Sequence, residues 1–193
     1  MKKVVRSAVI VALMFATAIG MANEPKLRTE SASKNLILEM DAENNQTSVK
    51  FIDNEGNVIH SDSNANTDDY IKKFNLQTLP EGLYYLKIEN SLRELVYTLS
   101  VNETNIDVVE NREILKPAFK SQDNKVSLSL LNLKKEDVEI KVLDSSSRIV
   151  FEEVLSEEMN IQKAFDFNLA PEDTYTIVVK DSNDIYYNNV VVK

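Results

Sequence analysis

The chain has no cysteine and no tryptophan, one histidine, three glycines and four prolines among its 193 residues. Each scarcity closes off a kind of chemistry. Without thiols there is no disulfide staple and no nucleophilic cysteine, so every folded module must be held by its apolar core. With His60 as the one histidine, a zinc site built on histidine pairs or thiolates is excluded. A serine triad would have to use that His60, which follows Ile59 in an alternating tract, and no serine sits in a glycine-flanked elbow. His60 is therefore read as a strand residue at the sheet surface. Only Gly56 and Gly82 lie beyond residue 22, too few for a loop that brings several backbone amides against a phosphate, so nucleotide cofactors are not expected. Positive charge is short as well: 22 Lys and Arg stand against 31 Asp and Glu, a net charge of −9. Nucleic acids and anionic lipid surfaces are gripped by neutralising Lys and Arg, and such a chain repels them on average.

What is present begins with an export signal. Lys2, Lys3 and Arg6 form a basic start, residues 8–18 are an apolar run, and small residues follow up to Ala22. This is the pattern of a secretory signal peptide over residues 1–22, cleaved after Ala22. The uncharged span falls short of the roughly 20 residues that cross a bilayer, and no later tract approaches a spanning segment. Removal of residues 1–22 takes the net charge from −9 to −12. The expected location is the periplasm, the cell surface or the extracellular space.

Beyond the signal, the chain repeats itself. Residues 49–101 lie on residues 140–192 at a constant offset of 91 without a gap. Lys50-Phe51-Ile52-Asp53 meets Lys141-Val142-Leu143-Asp144, and Pro80-Glu81 with Tyr84 meets Pro171-Glu172 with Tyr175. Apolar positions alternate with a period of two through both copies, as in strands with one dry face. Leu36, Leu38 and Met40 open the first copy; Val126, Leu128 and Leu130 open the second, one residue out of the later register. Short strands separated by turn signals predict a sandwich or barrel in each copy. Gly56 closes a hairpin with positive φ, Ser145-Ser146-Ser147 takes its place in the second copy, and residues 181–184 close the last hairpin. Residues 102–123 alternate weakly and contain Pro117, which sets the boundary near Asn111 and makes residues 114–119 an edge strand of the second module. The expected domains are residues 23–110 and 111–193.

Leu79-Pro80-Glu81-Gly82-Leu83-Tyr84, followed by Tyr85-Leu86-Lys87-Ile88, resembles the turn-and-strand signature of fibronectin-type bacterial sandwiches, and residues 169–178 resemble it again. The resemblance implies two tandem immunoglobulin/fibronectin-like antiparallel β-sandwiches, all-β, each with a tyrosine corner in which the ring packs in the core and the hydroxyl returns to the preceding backbone. Together with the turn at residues 53–57, the first copy is similar to the C-terminal sorting modules of proteins exported by the type IX system of Bacteroidota. That likeness covers about fifty residues and implies a bacterial surface protein.

One polar cluster invites a metal. Asp62, Asn64, Asn66 and Asp68 alternate as the oxygen ligands of a calcium loop do, although Thr67 stands where a glycine should turn the loop and Lys73 where a bidentate Glu should close it. Asp, Asn and Ser also favour ordinary turns. Tyr84, Tyr85, Tyr97, Tyr186 and Tyr187 offer flat aromatic faces with polar tips, and alternation turns one member of each Tyr-Tyr pair outward. The expectation is a non-catalytic envelope protein without a cofactor. It would serve as an interaction, adhesion or spacer module whose partner is another envelope protein or a glycan, with self-association through the last strand a variant. The alternative is a calcium-dependent carbohydrate-binding module.

Overall fold

The computed structural model describes residues 25–30, 34–40, 47–63 and 70–193. The signal segment lies outside them. Fifteen strands run in the order β1 (Lys26–Glu30), β2 (Asn35–Met40), β3 (Ser48–Asp53), β4 (Val58–Asp62), β5 (Tyr70–Asn75), β6 (Gly82–Glu89), β7 (Arg93–Val101), β8 (Ile106–Leu115), β9 (Ala118–Gln122), β10 (Lys125–Leu131), β11 (Val138–Leu143), β12 (Ile149–Leu155), β13 (Asn160–Asp166), β14 (Asp173–Lys180) and β15 (Ile185–Val192). There is no helix among the described residues, and every strand pair with a resolved register is antiparallel. The expected all-β, antiparallel architecture is what the described residues form.

Two compact units result, one reaching Ile114 and one beginning at Leu115. The first sets a three-stranded sheet, β1-β2-β5, against a five-stranded one, β4-β3-β6-β7-β8; the second sets β13-β10-β9 against β12-β11-β14-β15. Within each, the alternating apolar residues of both sheets meet in one core. Leu36, Leu38 and Phe74 face Phe51, Leu86 and Leu99 in the first; Val126, Leu128 and Phe165 face Ile140, Val142 and Ile177 in the second. Burying such a side chain contributes about 1.5–3 kcal/mol, which is what a cysteine-free sandwich must rely on.

The 91-residue offset is a structural identity. Phe51 pairs with Leu86, and Val142 pairs with Ile177; the β3–β4 ladder slips between Phe51 and Ile52, and the β11–β12 ladder slips between Val142 and Leu143. The early register difference is also real, since Leu36 pairs with Phe74 whereas Val126 pairs with Phe165.

The turns repeat in chemistry where they differ in letters. Asp53 Oδ1 accepts the backbone N–H of Glu55 and of Asn57 at 3.0 and 2.8 Å, and its Oδ2 accepts the Asn57 amide at 2.9 Å. Asp144 Oδ1 accepts the N–H of Ser146 and of Arg148 at 2.9 Å each, and its Oδ2 takes Arg148 Nε at 2.7 Å. Gly56 at φ 88° and Ser147 at φ 60° fill the one position that needs positive φ. The Arg148 amide, its side chain and the Ser146 amide hold the Asp144 carboxyl below its ordinary 3.8 against the opposing effect of burial, and the Asn57 side chain leads the same effect on Asp53. A carboxyl whose folded value is depressed stabilises fully above its unfolded value and loses that contribution as pH falls through the folded one. We expect acid unfolding of the second unit to begin below about pH 4. In the Asp144→Asn protein the pH dependence of thermal stability in that window should be shallower than in the wild type; an unchanged slope would rule Asp144 out as its source.

Both tyrosine corners are formed. The Tyr84 hydroxyl donates to the Pro80 carbonyl at 2.9 Å and the Tyr175 hydroxyl to the Pro171 carbonyl at 3.2 Å. Burial raises the pKa of both phenols, so they stay protonated donors. Where the first copy has Gly82, at φ 154°, the second has Asp173, whose Oδ2 accepts the Ser145 N–H at 3.4 Å and ties the corner to the neighbouring turn.

The linker region differs from expectation. Residues 114–119 do not form one strand: β8 ends at Leu115 and β9 begins at Ala118, on either side of Lys116-Pro117. Proline has no N–H to continue a ladder. The boundary expected at Asn111 falls inside β8, which is the last strand of the five-stranded sheet.

Candidate functional site

The outer face of the five-stranded sheet is the most featured surface of the first unit. Ladder pairing places Ile52, Tyr85 and Thr98 in one row across β3, β6 and β7, and Lys50, Lys87 and Val96 in the next. β8 adds Glu110 and Arg112 at the side, and the turn from Asp53 to Gly56 closes one end. The result is an open depression of about 690 Å³. Val96 is buried there, apart from the sandwich core, while Lys87 pairs with Glu94 at 3.2 Å. An aromatic face beside two cations, Lys87 and Arg112, and three carboxylates, Asp53, Glu55 and Glu110, offers stacking and charged hydrogen bonds, and it holds no cysteine or histidine. The same rows of the second unit carry Leu143, Thr176 and Asn189, then Lys141, Val178 and Tyr187. The repeat therefore preserves cores and turns and changes the outward face.

Of the expected calcium ligands, Asp62 alone lies among the described residues. Asp62 ends β4, and its Oδ2 accepts the Tyr70 hydroxyl at 3.2 Å; burial, then the Asp62 charge, push that phenol up to about 12. Asn64, Asn66 and Asp68 lie outside the described residues. Among those described, no three His, Asp or Glu side chains are grouped to hold a metal ion. Of the tyrosine pairs, Tyr84 is buried at its corner and Tyr85 reaches outward; Tyr186 packs against the core and Tyr187 is exposed.

His60 sits opposite Phe51 on β4, its ring edge-on to Phe74 with centroids 5.5 Å apart. The residue 91 positions later is Phe151, edge-on to Phe165 at 5.6 Å. His60 thus fills an aromatic packing position, which no local sequence signal reveals, and its Nε2 is buried without a hydrogen-bond partner. An unsatisfied buried polar atom costs about 1–3 kcal/mol. His60→Phe, the choice the other copy makes, should raise the melting temperature of the first unit in a thermal melt; a fall would show that the nitrogen has a role.

With β2 to β7, their corner and their turn in place, the first copy can be named by its likeness. Residues 32–102 match the secretion system C-terminal sorting domain. The sorting-domain match runs from the approach to β2 through the end of β7, and the same six strands recur as β10 to β15 outside it. No curated protein matches the chain. Among solved structures, the chicken CNTN1 FN1–FN3 domains are similar over 89% of this chain and 64% of theirs, at 14% identity and a TM-score of 0.29. The two fibronectin type III domain segment of chicken tenascin is similar over 87% of this chain and 99% of its own, at 8% identity and a TM-score of 0.26. The BSP domain of a biofilm associated protein covers 88% of this chain at 12% identity and a TM-score of 0.27, and this chain spans 29% of its length.

Proposed function

We propose that the protein is an exported, non-catalytic module of the bacterial cell envelope that binds another envelope protein or a glycan through its sheet surfaces. The sorting-domain match over residues 32–102 supports export to the surface or beyond. The observation that carries the binding role is the depression on the five-stranded sheet, where Tyr85, Lys87 and Arg112 line an open, mixed aromatic and charged face. Flat sheet faces of this kind suit an extended partner better than a small substrate, since reactions need enclosed groups with shifted pKa values.

The test is retention of a partner from envelope extract by the immobilised protein, in calcium and then in chelator, compared with the Tyr85→Ala/Arg112→Glu variant. A partner kept in both conditions and lost with the variant supports the reading; equal retention by the variant moves the site elsewhere. On this reading calcium leaves the thermal melt unchanged. A rise in melting temperature with calcium, by the mass-action stabilisation of a folded-state ligand, together with a glycan retained only with calcium, would instead favour the carbohydrate-binding module built on Asp62, Asn64, Asn66 and Asp68.

A further inference from the structure

A strand at the edge of a sheet presents unpaired N–H and C=O groups, and natural proteins guard such edges with charge, proline or a covering segment. Among the described residues, the four sheets have eight edge strands: β1 and β5, β4 and β8, β9 and β13, β12 and β15. Seven carry charged side chains, from Lys120 alone in β9 to Asp107, Glu110, Arg112 and Glu113 in β8. β15 carries none. Its eight residues, Ile185-Tyr186-Tyr187-Asn188 and Asn189-Val190-Val191-Val192, include neither charge nor proline nor glycine. Six of them are the β-branched or aromatic residues that strands favour, and the other two are the Asn pair.

The other copy shows what such an edge accepts. β7 is the equivalent of β15, and β8 lies along its far side as the fifth strand. Val96 in β7 is 7% exposed, whereas Tyr187, at the same place in β15, is 66% exposed. Val191 is exposed on the same face. On the opposite side of β15 the Asn188 Nδ2 is buried and has no hydrogen-bond partner. An enclosed amide donor without an acceptor is costly, and it marks this point of β15 as the weakest-packed of the strand.

We propose that β15 pairs antiparallel with β15 of a second copy about a two-fold axis at Asn188, joining two four-stranded sheets into one of eight strands. This rests on the reading of the protein as an interaction module and names a second copy as its partner. A two-fold contact is self-complementary, and an axis on one residue keeps core-facing side chains on a common face. The two Asn188 residues then lie opposite each other. Tyr187 falls opposite Asn189, Tyr186 opposite Val190, and Ile185 opposite Val191. Two chains of net charge −9 repel over most of their surface, and β15 lets them meet without like charges opposed.

The experiment is sedimentation velocity of the purified protein over a concentration series, with two double variants on the exposed side of the strand: Tyr187→Lys/Asn189→Lys and Tyr187→Glu/Asn189→Glu. Each sets like charges opposite each other twice in the pair. Thermal melts verify that both variants fold, since Asn189 also accepts the Thr176 hydroxyl at 3.0 Å. Concentration-dependent dimers of the wild type, monomers of each variant alone, and recovery of a dimer when the two variants are mixed are the expected results. A wild type that stays monomeric, folded variants that dimerise as it does, or a mixture that fails to recover the dimer would each overturn the proposal. A monomeric protein that still retains an envelope partner would overturn the self-pairing and leave the binding function standing.

Discussion

Phe51→Ala should unfold the first unit while leaving the second intact. The ring is 1% exposed and stacks between Phe74 and Tyr84 at centroid distances of 5.5 and 5.7 Å, so its removal leaves a cavity with partners on both faces. Truncating a core Phe costs about 3–5 kcal/mol. A single domain has only about 5–15 kcal/mol in all, and a sandwich of this size without disulfides belongs at the low end. In a calorimetric scan we expect one transition to move sharply down or vanish and a second to stay in place. Ile140→Ala, in the fully buried middle of β11, should do the converse at about 2–5 kcal/mol. Such a pair of results would establish the two units as separately folding domains. If either variant shifts the whole heat absorption together, the two units fold as one.

Removal of a single oxygen at each corner should have the next largest effect. Tyr84→Phe and Tyr175→Phe keep the ring in the core and delete the bond to the proline carbonyl, at an expected cost of about 1–3 kcal/mol each. The comparison separates a corner from an aromatic that merely follows a proline turn. Were packing all that mattered, Phe would be neutral in both units. Urea titrations monitored by circular dichroism should show a lower midpoint with an unchanged slope.

The parts of the fold that could be read from the chain are those set by local or repeated chemistry. Asp53 and Asp144 head turns because a carboxylate can accept two amides ahead of it, and the proline before Tyr84 and Tyr175 marks the corner. The shift of Val126, Leu128 and Leu130 by one residue against the rest of the repeat survives as a different ladder partner. What could not be read depends on which strand lies beside which. β1 and β8 are mostly exposed, so neither has a dry face to produce alternation. The charged outer face around Tyr85 is assembled from residues of four strands, and its depression exists only because β8 continues the sheet beyond β7. His60 passed as a surface strand residue because its packing role depends on Phe74, which belongs to the opposite sheet. The calcium reading drew on spacing alone, and of its four residues only Asp62 is placed.

The strand orders bear on the rate at which the chain acquires its structure. β3 and β4, or β6 and β7, are neighbours in sequence and can zip as hairpins. β2 and β5 pair residues 30 to 40 positions apart, and β10 and β13 pair residues 29 to 41 apart. Neither small sheet can close until the strands between have found their places, and pairings at such separations set folding times in the millisecond to second range for all-β domains. For an exported chain this delay is useful, because a polypeptide that closes its sheets late remains threadable for the interval in which it must cross a membrane.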